Sequence, residues 1–514
     1  MKAIVILTDT LRRDFLSTYS NTDVKTPNLE RLQKKSVVFD QHWAGSLPCM
    51  PARRDMMTGR LNFLERNWGP IEPFDETLPE TLNENGIFSH IVTDHYHYFE
   101  KGGENYCQSF NTWDLIRGQE HDPWVSKVND PELPEYIGRY PKQYHLNRSR
   151  FVEEKDFTSP KTIQSAIQWL DNNKDADDYL LWVEMFDPHE PFDLPSEYLD
   201  LYDDEYDGPL YMWPKYRKNA SSEKDLAHVR NRYSGLVTMM DKWIGKLLDK
   251  MDEQNMWEDT MLIFTTDHGT LLDEHEFMGK NFMPLYNEIS HLPLMVHMPG
   301  GKNAGTRTDA LTQNIDIMPT ILDFFGVHPS ESNMQGKSWL PLLEKQESKR
   351  RNYAIYGCFG KNVNITDGEF TYFRAAINEN NSPLNLYTSM PTTLTHYYND
   401  EYIKDFKDIE MGRFLKWTDY PVYKIPGYTI SLTDESLGFT HRGEFIGENL
   451  LFNIQLDYSQ ERPIKDPNTE KKYVDLLAAA LIEYDAPDEQ FERLGLKNPS
   501  VPIDSELYRK NVKN

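Results

Sequence analysis

Short continuous runs of apolar residues alternate with helix-type patterns over the first two-thirds of the chain. Four such runs occupy residues 4–7, 88–92, 179–183 and 261–264, and each has the length of a strand buried on both faces. Helix-type segments separate them, and one is predicted to begin with Thr26 as its N-cap and Pro27 at its first position. This alternation predicts an α/β fold in which helices flank a large, mostly parallel sheet.

The pattern changes from about residue 345. Shorter strands with turns between them are predicted at residues 352–365, 369–376 and 428–432, and residues 472–483 follow an amphipathic helix pattern. We therefore predict two domains, a large α/β domain over residues 1–345 and a smaller C-terminal α+β domain over residues 346–514.

Polar residues suited to acid–base or metal chemistry follow each of the four apolar runs. In sheets of this type, ligands bind beyond the carboxyl ends of the strands. In chain order, the residues that follow the four runs are Asp9 and Thr10; Asp94, His95 and His97; Asp187 and His189; and Asp267 and His268. A single such group is typical of a solvated loop, but four groups together predict a functional site at one edge of the sheet.

The charge of the chain limits its partners. The 514 residues carry a formal net charge of −27. We expect no nucleic-acid and no membrane partner, because those anionic surfaces are bound by clusters of Lys and Arg. A small anionic substrate remains compatible, because a metal ion and a few local cations set the field within a pocket.

Cysteine content and the apolar runs bear on the compartment. Three cysteines, Cys49, Cys107 and Cys358, do not make a disulfide framework. No apolar run reaches 18 residues, so no membrane span is predicted. The opening run is too short for the core of a signal peptide and is better explained as a first buried strand. We expect a cytoplasmic protein, or a periplasmic one if a leader peptide has been removed.

The most informative segment is Cys49-Met50-Pro51-Ala52-Arg53, which is followed by Thr58-Gly59-Arg60. It resembles the signature by which type I sulfatases, of the alkaline-phosphatase-like superfamily, mark a cysteine for oxidation to Cα-formylglycine by a maturation enzyme. The aldehyde hydrates to a geminal diol, a nucleophile that no ordinary side chain supplies. A match of this length alone is also compatible with a buried cysteine that only fills the core.

Further segments match the same family in the same order along the chain. They are residues 9–14, 26–32, 49–60, 78–86, 188–192, 233–248, 259–280, 314–326 and 451–461. The chain departs from the family pattern at Thr10, where a second Asp is usual, and at His95, where Lys is usual.

The resemblance implies a metal site. Its ligands would be Asp9, Thr10, Cys49, Asp267 and His268, around one divalent cation. Ca²⁺ is the first expectation from the family, and Mn²⁺ or Mg²⁺ is the alternative. The loss of one carboxylate at Thr10 and the imidazole of His268 favour a metal that accepts nitrogen.

The resemblance also implies catalytic and substrate-binding roles. Cys49 would become the formylglycine nucleophile, and Arg53 would hold its hydrated form and the sulfate oxygens. Lys280 would bind the substrate and neutralise the transferring group, and His189 would act as general acid at the leaving oxygen. His97 would help to decompose the sulfated intermediate, and His95 would bind substrate beside it. Because these two histidines alternate, an extended segment would point both side chains the same way.

These residues together predict an enzyme that hydrolyses a sulfate ester. Loops at residues 97–130, 198–217 and 383–423 are rich in Tyr and Trp and predict a small sulfated saccharide as substrate. A phosphonate monoester or phosphodiester hydrolase of the same superfamily is the alternative, because the same aldehyde and metal serve both reactions. An inactive binding protein of the same fold is a third hypothesis, which rests on the departures at Thr10 and His95.

Overall fold

The protein's structure, a computed structural model, describes residues 1–218, 221–281, 283–329, 332–400, 403, 405–429 and 447–498. Its strands are β1 (Lys2–Thr8), β2 (Val37–Trp43), β3 (Ser46–Leu47), β4 (Phe88–Thr93), β5 (Thr112–Leu115), β6 (Tyr179–Met185), β7 (Arg217–Lys218), β8 (Thr260–Thr266), β9 (Leu271–Leu272), β10 (Phe277–Gly279), β11 (His291–His297), β12 (Thr306–Thr308), β13 (Thr312–Gln313), β14 (Ala354–Cys358), β15 (Val363–Thr366), β16 (Phe370–Arg374), β17 (Asn385–Thr388), β18 (Glu410–Gly412), β19 (Val422–Pro426) and β20 (Leu450–Asn453). Its α-helices are α1 (Pro27–Lys35), α2 (Cys49–Thr58), α3 (Leu78–Glu84), α4 (Asn105–Gln108), α5 (Lys142–Arg148), α6 (Thr158–Asn172), α7 (Glu223–Glu253), α8 (Asn287–Ser290), α9 (Ile317–Phe325), α10 (Leu340–Leu343), α11 (Pro467–Glu483) and α12 (Glu489–Arg493).

The four apolar runs form neighbouring strands of one large sheet. The sheet has the order β12-β2-β11-β8-β1-β6-β4-β5, and β13 also pairs with β2. The contiguous strands β8, β1, β6 and β4 are all parallel, whereas β11 runs antiparallel to both of its neighbours. The predicted α/β class with a mostly parallel sheet is therefore confirmed.

Alternation along β1 supplies a core on each face of this sheet. Successive side chains of a strand point to opposite faces. One face, with Ala3, Val5 and Leu7, packs against apolar residues of α2, α3 and α9. The other face, with Ile4 and Ile6, packs against α6 and α7. Because both faces are covered, the loops at the carboxyl ends of the strands are where polar groups can gather.

The start of α1 corrects one local prediction. The helix begins at Pro27 as predicted, but the side chain of Thr26 makes no capping hydrogen bond. The carboxylate of Asp241 on α7 instead accepts hydrogen bonds from the backbone N–H groups of Asn28 and Leu29, at 3.1 and 2.8 Å. A tertiary contact thus replaces the local cap, because either carboxylate or hydroxyl oxygen satisfies the free N–H groups of a first turn.

The C-terminal region contains a second sheet of order β20-β16-β15-β14-β3. Helix α11 covers it with an apolar face that includes Tyr473, Leu477 and Leu481. Its edge strand β3 comes from the N-terminal part of the chain and pairs in parallel with β14. Only Pro48 separates β3 from Cys49. The smaller, sheet-rich C-terminal region is confirmed, and the boundary at residue 345 stays a prediction. Residues 430–432 of the predicted strand 428–432 lie outside the described residues.

Within the ranges that the structure describes, no helix is both long enough and apolar enough to cross a bilayer.

Candidate active site

Cys49 is the first residue of α2 and lies at the carboxyl-end edge of the main sheet. All ten residues of α2 are buried, and Cys49 is 4% exposed. Gly59 follows the last residue of the helix in a left-handed conformation, with a φ of 64°. Glycine favours this conformation because it has no Cβ. Arg53, one turn after Cys49, lies on the same side of the helix, and its Nη1 donates a hydrogen bond to the Cys49 carbonyl oxygen at 3.1 Å.

Three residues from two other strand ends join Cys49. Asp9 follows β1, and Asp267 and His268 follow β8; the two strands pair in register, with Thr8 opposite Thr266. Potential ligand atoms of these four residues all lie within 4.8 Å of one another. The sequence predicted all four as members of one metal site, and the sheet order brings them together.

The tautomer of His268 leaves one nitrogen available to a cation. Its Nδ1 lies 2.9 Å from the carbonyl oxygen of Gly269 and donates to it, and its Nε2 lies 3.2 Å from the sulfur of Cys49. Burial lowers the pKa of His268 to about 3, so the ring is neutral. Gly269 is required beside it, because a Cβ there would lie 1.9 Å from the carbonyl oxygen of Glu288. A neutral imidazole held by a second hydrogen bond is the usual state of a metal-ligating histidine.

The charges at this site fit a divalent cation. Burial and the neighbouring charge of Asp9 raise the pKa of Asp267 above its usual range. Two buried carboxylates that repel each other, an imidazole nitrogen and a sulfur make a donor set that first-row divalent metals accept. The four residues therefore fit a divalent cation, and the identity of the metal stays a prediction.

Thr10 links two of the potential metal ligands, Asp9 and Asp267, to Lys280. Its hydroxyl donates to Asp9 Oδ1 at 2.6 Å and accepts from Lys280 Nζ at 2.6 Å, while its N–H donates to Asp267 Oδ1 at 3.1 Å. Thr10 adopts a φ of 66°, which is uncommon for a β-branched residue and is held here by these three bonds. Lys280 Nζ also donates to Glu190 Oε2 at 3.1 Å.

Arg53 forms ion pairs with three buried carboxylates. Its Nη2 lies 2.9 Å from Asp9, its Nη1 2.6 Å from Asp267 and its Nε 2.7 Å from Glu184. Burial by itself lowers the pKa of Arg53, but the carboxylates of Glu184, Asp9 and Asp267 outweigh it and raise the pKa further. The sequence analysis missed Glu184, although a charged residue inside the buried strand β6 was a signal that could have identified it.

His97 lies between two acidic residues. Its Nδ1 lies 2.7 Å from Glu100 and its Nε2 3.1 Å from Glu120. Burial by itself lowers the pKa of His97, but Glu100 and Glu120 outweigh it and raise the pKa to about 10. The ring is therefore a cation at neutral pH, and neither of the two carboxylates was identified from the sequence.

The segment around His95 differs from the prediction. Tyr96–Phe99 forms a 3-10 turn, so the premise of an extended segment was wrong. The two histidine rings nevertheless lie 5.2 Å apart. His95 is completely buried and is not among the pocket-lining side chains; its Nε2 lies 3.7 Å from Asp9 Oδ2. Neither of its ring nitrogens has a hydrogen-bond partner among the described residues. The ring of His95 therefore approaches Asp9 from the protein interior and not from the pocket.

His189 is oriented by its neighbour Glu190. Its Nδ1 lies 2.6 Å from the Glu190 carbonyl oxygen and 3.2 Å from the Glu190 carboxylate. The hydrogen on Nδ1 is therefore directed toward these oxygens, and Nε2 is the nitrogen available for proton transfer. Glu190 also accepts a hydrogen bond from the hydroxyl of Tyr216 at 2.9 Å. Glu190 directly follows a predicted histidine, yet its link to Lys280 required the fold.

A pocket with a volume of about 300 Å³ opens above Cys49. All three of the loops in which the sequence predicted substrate specificity contribute to its lining, together with residues outside them. The lining residues are Pro48, Cys49, Trp68, Tyr96, His97, Glu100, Glu120, His121, Arg139, His189, Trp213, Tyr216, Lys280, Asn281, Thr395 and His396. Four of the predicted site residues, Cys49, His97, His189 and Lys280, therefore face one cavity.

The sulfatase family model matches residues 2–327 of this chain. The chain therefore belongs to the sulfatase family, a family of sulfuric ester hydrolases. This membership confirms the type I sulfatase resemblance that the Cys49 segment carried.

Two relatives of this chain are named for different activities. The chain is 24% identical over 409 residues to the multifunctional alkaline phosphatase superfamily protein PehA of Trinickia caryophylli. The match covers 66% of this chain and 76% of that protein. It is 22% identical over 421 residues to the N-acetylglucosamine-6-O-sulfatase of Bacteroides thetaiotaomicron. This second match covers 67% of this chain and 71% of that protein.

A solved structure shows the same fold. The phosphonate monoester hydrolase of Agrobacterium radiobacter superposes with a TM-score of 0.65 over 94% of this chain and 96% of that chain, at 17% identity. At this identity the likeness concerns the architecture alone, and it supports the alkaline-phosphatase-like fold.

Proposed function

We propose that this protein hydrolyses a sulfate ester through a formylglycine derived from Cys49, beside a divalent metal held by Asp9, Asp267 and His268. The observation that carries the proposal is the position of Cys49. Its sulfur lies 3.2 Å from His268 Nε2 and 4.0 Å from Asp9 Oδ1, and it lines the pocket. A cysteine that only filled the core would not lie among potential metal ligands at the base of a cavity.

The unmodified thiol is a poor nucleophile in this position. Burial and the charge of Asp9 raise the pKa of Cys49 well above its usual range, so the thiolate is disfavoured. Oxidation to the aldehyde would remove this difficulty, because its hydrate supplies two hydroxyl groups, one to attack sulfur and one to release sulfate. A bound cation would polarise the ester oxygens and help to ionise the attacking hydroxyl.

The side chains around Cys49 have matching tasks. Lys280 would bind the anionic oxygens of the ester from the pocket side, and His97, whose two ring nitrogens face Glu100 and Glu120, would add its positive charge nearby. His189 would donate a proton from Nε2 to the leaving alcohol, while Glu190 keeps Nδ1 occupied. Arg53 forms ion pairs with three carboxylates, so in this arrangement it also holds Asp9 and Asp267 in position.

A saccharide is the proposed alcohol part of the substrate. The rings of Trp68, Tyr96, Trp213 and Tyr216 line the pocket and offer the apolar faces on which sugar rings stack. The N-acetylglucosamine-6-O-sulfatase among the relatives supports the same substrate class.

A phosphonate monoester or phosphodiester hydrolase remains the second candidate. PehA among the relatives and the phosphonate monoester hydrolase among the solved structures favour it. Phosphodiesters and sulfate monoesters both present one negative charge, so the cations of this pocket suit either. Side-by-side rates on 4-nitrophenyl sulfate and on bis(4-nitrophenyl) phosphate decide between the two.

The test uses protein produced together with a formylglycine-generating enzyme. Intact-mass and peptide analysis should show conversion of Cys49 to the aldehyde, and Cys49→Ala should reduce sulfatase turnover by at least about 1,000-fold. The matched control is Cys358→Ala, which alters another buried cysteine outside the pocket and should keep its activity. Undiminished turnover by Cys49→Ala would remove Cys49 from the mechanism. Failure of the converted protein to bind a divalent cation would instead favour the inactive binding protein.

A further inference from the structure

Arg139 differs from the other charged residues that line the pocket. Glu100 and Glu120 both pair with His97, and Lys280 pairs with Glu190, which lies beside the pocket. Within the described parts of the chain, no carboxylate lies within 4.0 Å of the Arg139 guanidinium, although the protein carries a net charge of −27. A guanidinium at a pocket wall without an acidic partner is available to an anionic group of a ligand.

Main-chain contacts hold Arg139 at this wall. Its N–H donates to the carbonyl oxygen of Trp213 at 2.8 Å, and the N–H of Ile137 donates to Leu210 at 2.9 Å. Gly138 between them has a φ of 80°, and a Cβ there would lie 2.2 Å from the Trp213 carbonyl oxygen. The segment is therefore tied to the loop that carries Trp213 before any ligand binds, which lowers the entropic cost of binding.

Tyr216 relates Arg139 to the proposed reaction centre. The Arg139 guanidinium and the Lys280 ammonium each lie 5.6 Å from the centre of the Tyr216 ring. The two cations are therefore separated by no more than twice that distance. Substituents on one sugar ring, or on two linked rings, span such a separation.

Resting on the proposed function, we propose that Arg139 binds a second anionic group of the substrate, remote from the ester that is cleaved. The substrate class is thereby narrowed to doubly anionic sulfate esters, such as a sulfated saccharide that also carries a carboxylate or another sulfate. Lys280 binds the ester that reacts, and Arg139 selects molecules with a second negative charge. A bidentate guanidinium suits both carboxylate and sulfate oxygens.

The test compares aryl sulfates that differ only in the group opposite the ester. The probes are 4-carboxyphenyl sulfate, 4-sulfophenyl sulfate and 4-carbamoylphenyl sulfate, whose carbamoyl group is uncharged. The measured quantity is kcat/KM. The converted wild-type protein should prefer the two doubly anionic probes. In Arg139→Gln this preference should fall by about 10-fold or more, as expected for loss of a charge-assisted hydrogen bond. Arg139→Lys should restore part of it, and the relative loss for the carboxylate and the sulfonate identifies which anion fits.

Arg150→Gln is the matched control, because Arg150 is exposed and lies outside the pocket. It should leave all three rates unchanged. Equal preference ratios in the wild type and in Arg139→Gln would overturn this inference while the sulfatase function stands. Absence of turnover on every probe by the converted wild type would overturn the proposed function and this inference with it.

Discussion

Replacement of Arg53 by glutamine would leave three buried carboxylates without their shared cation. Asp9, Glu184 and Asp267 each lie within 2.9 Å of a guanidinium nitrogen, and all four side chains are 0% exposed. All three carboxylates are fully buried in the folded protein, so bulk water does not solvate them in place of the guanidinium. We therefore expect Arg53→Gln to destabilise the folded protein strongly.

The size of the effect follows from the burial of the group. At an effective dielectric constant of about 20, one ion pair with a charge separation of about 4 Å contributes roughly 4 kcal/mol of Coulomb energy. Much of that attraction offsets the cost of desolvating the charges, so the gross values of three pairs do not add to the stability. Removal of one partner from a buried pair costs about 3–5 kcal/mol, and with three carboxylates left we expect the upper part of that range.

The assay is urea denaturation of wild type and variant at pH 7.5 with EDTA present, so that cation binding does not compensate. The matched control is Arg31→Gln. Arg31 also bridges two carboxylates, Asp249 and Asp252, at 2.6 and 2.7 Å, but on the surface. Its loss should cost less than about 1 kcal/mol. A loss below about 1 kcal/mol in Arg53→Gln would refute the argument that this arginine stabilises the buried cluster.

Two further predictions concern pH and metal. The folded-state pKa of His97, about 10, lies above its unfolded value, so its stabilisation is complete below about pH 6.5 and is lost as pH rises toward 10. His97→Gln should therefore destabilise the protein most at pH 6 and least near pH 10 in urea titrations; a difference that grows with pH would contradict this. Chelation should lower the melting temperature, and Ca²⁺ or Mn²⁺ should restore it in wild type but not in Asp9→Asn or His268→Gln. An equal shift in those variants would show that the cation binds elsewhere.

Several features of the site were accessible from sequence because they depend on local order along the chain. Cys49 and Arg53 are four positions apart, which is about one helical turn, so a helix at this motif brings them to the same side. The structure has both residues on the same side of α2. Asp9 and Asp267 directly follow buried strands, so their location at the carboxyl ends of the sheet could be predicted.

Other features depend on segments that are far apart in sequence. Glu184 meets Arg53 across 131 positions, and Glu120 reaches His97 from beyond α4 and β5. No periodicity or short motif encodes such pairs. The backbone after His95 is a 3-10 turn and not an extended segment, so only the fold shows how the rings of His95 and His97 come to lie 5.2 Å apart.

The amino-acid sequence by itself determined the fold class, the nucleophile candidate and most metal-ligand candidates, because buried-strand patterns and short motifs are local properties. Only the tertiary structure decided that β8 pairs with β1, which brings Asp267 beside Asp9, and that the Tyr216 loop joins Arg139 to Lys280. These pairings depend on the order of strands in the sheet and on the packing of distant loops, which local patterns leave open.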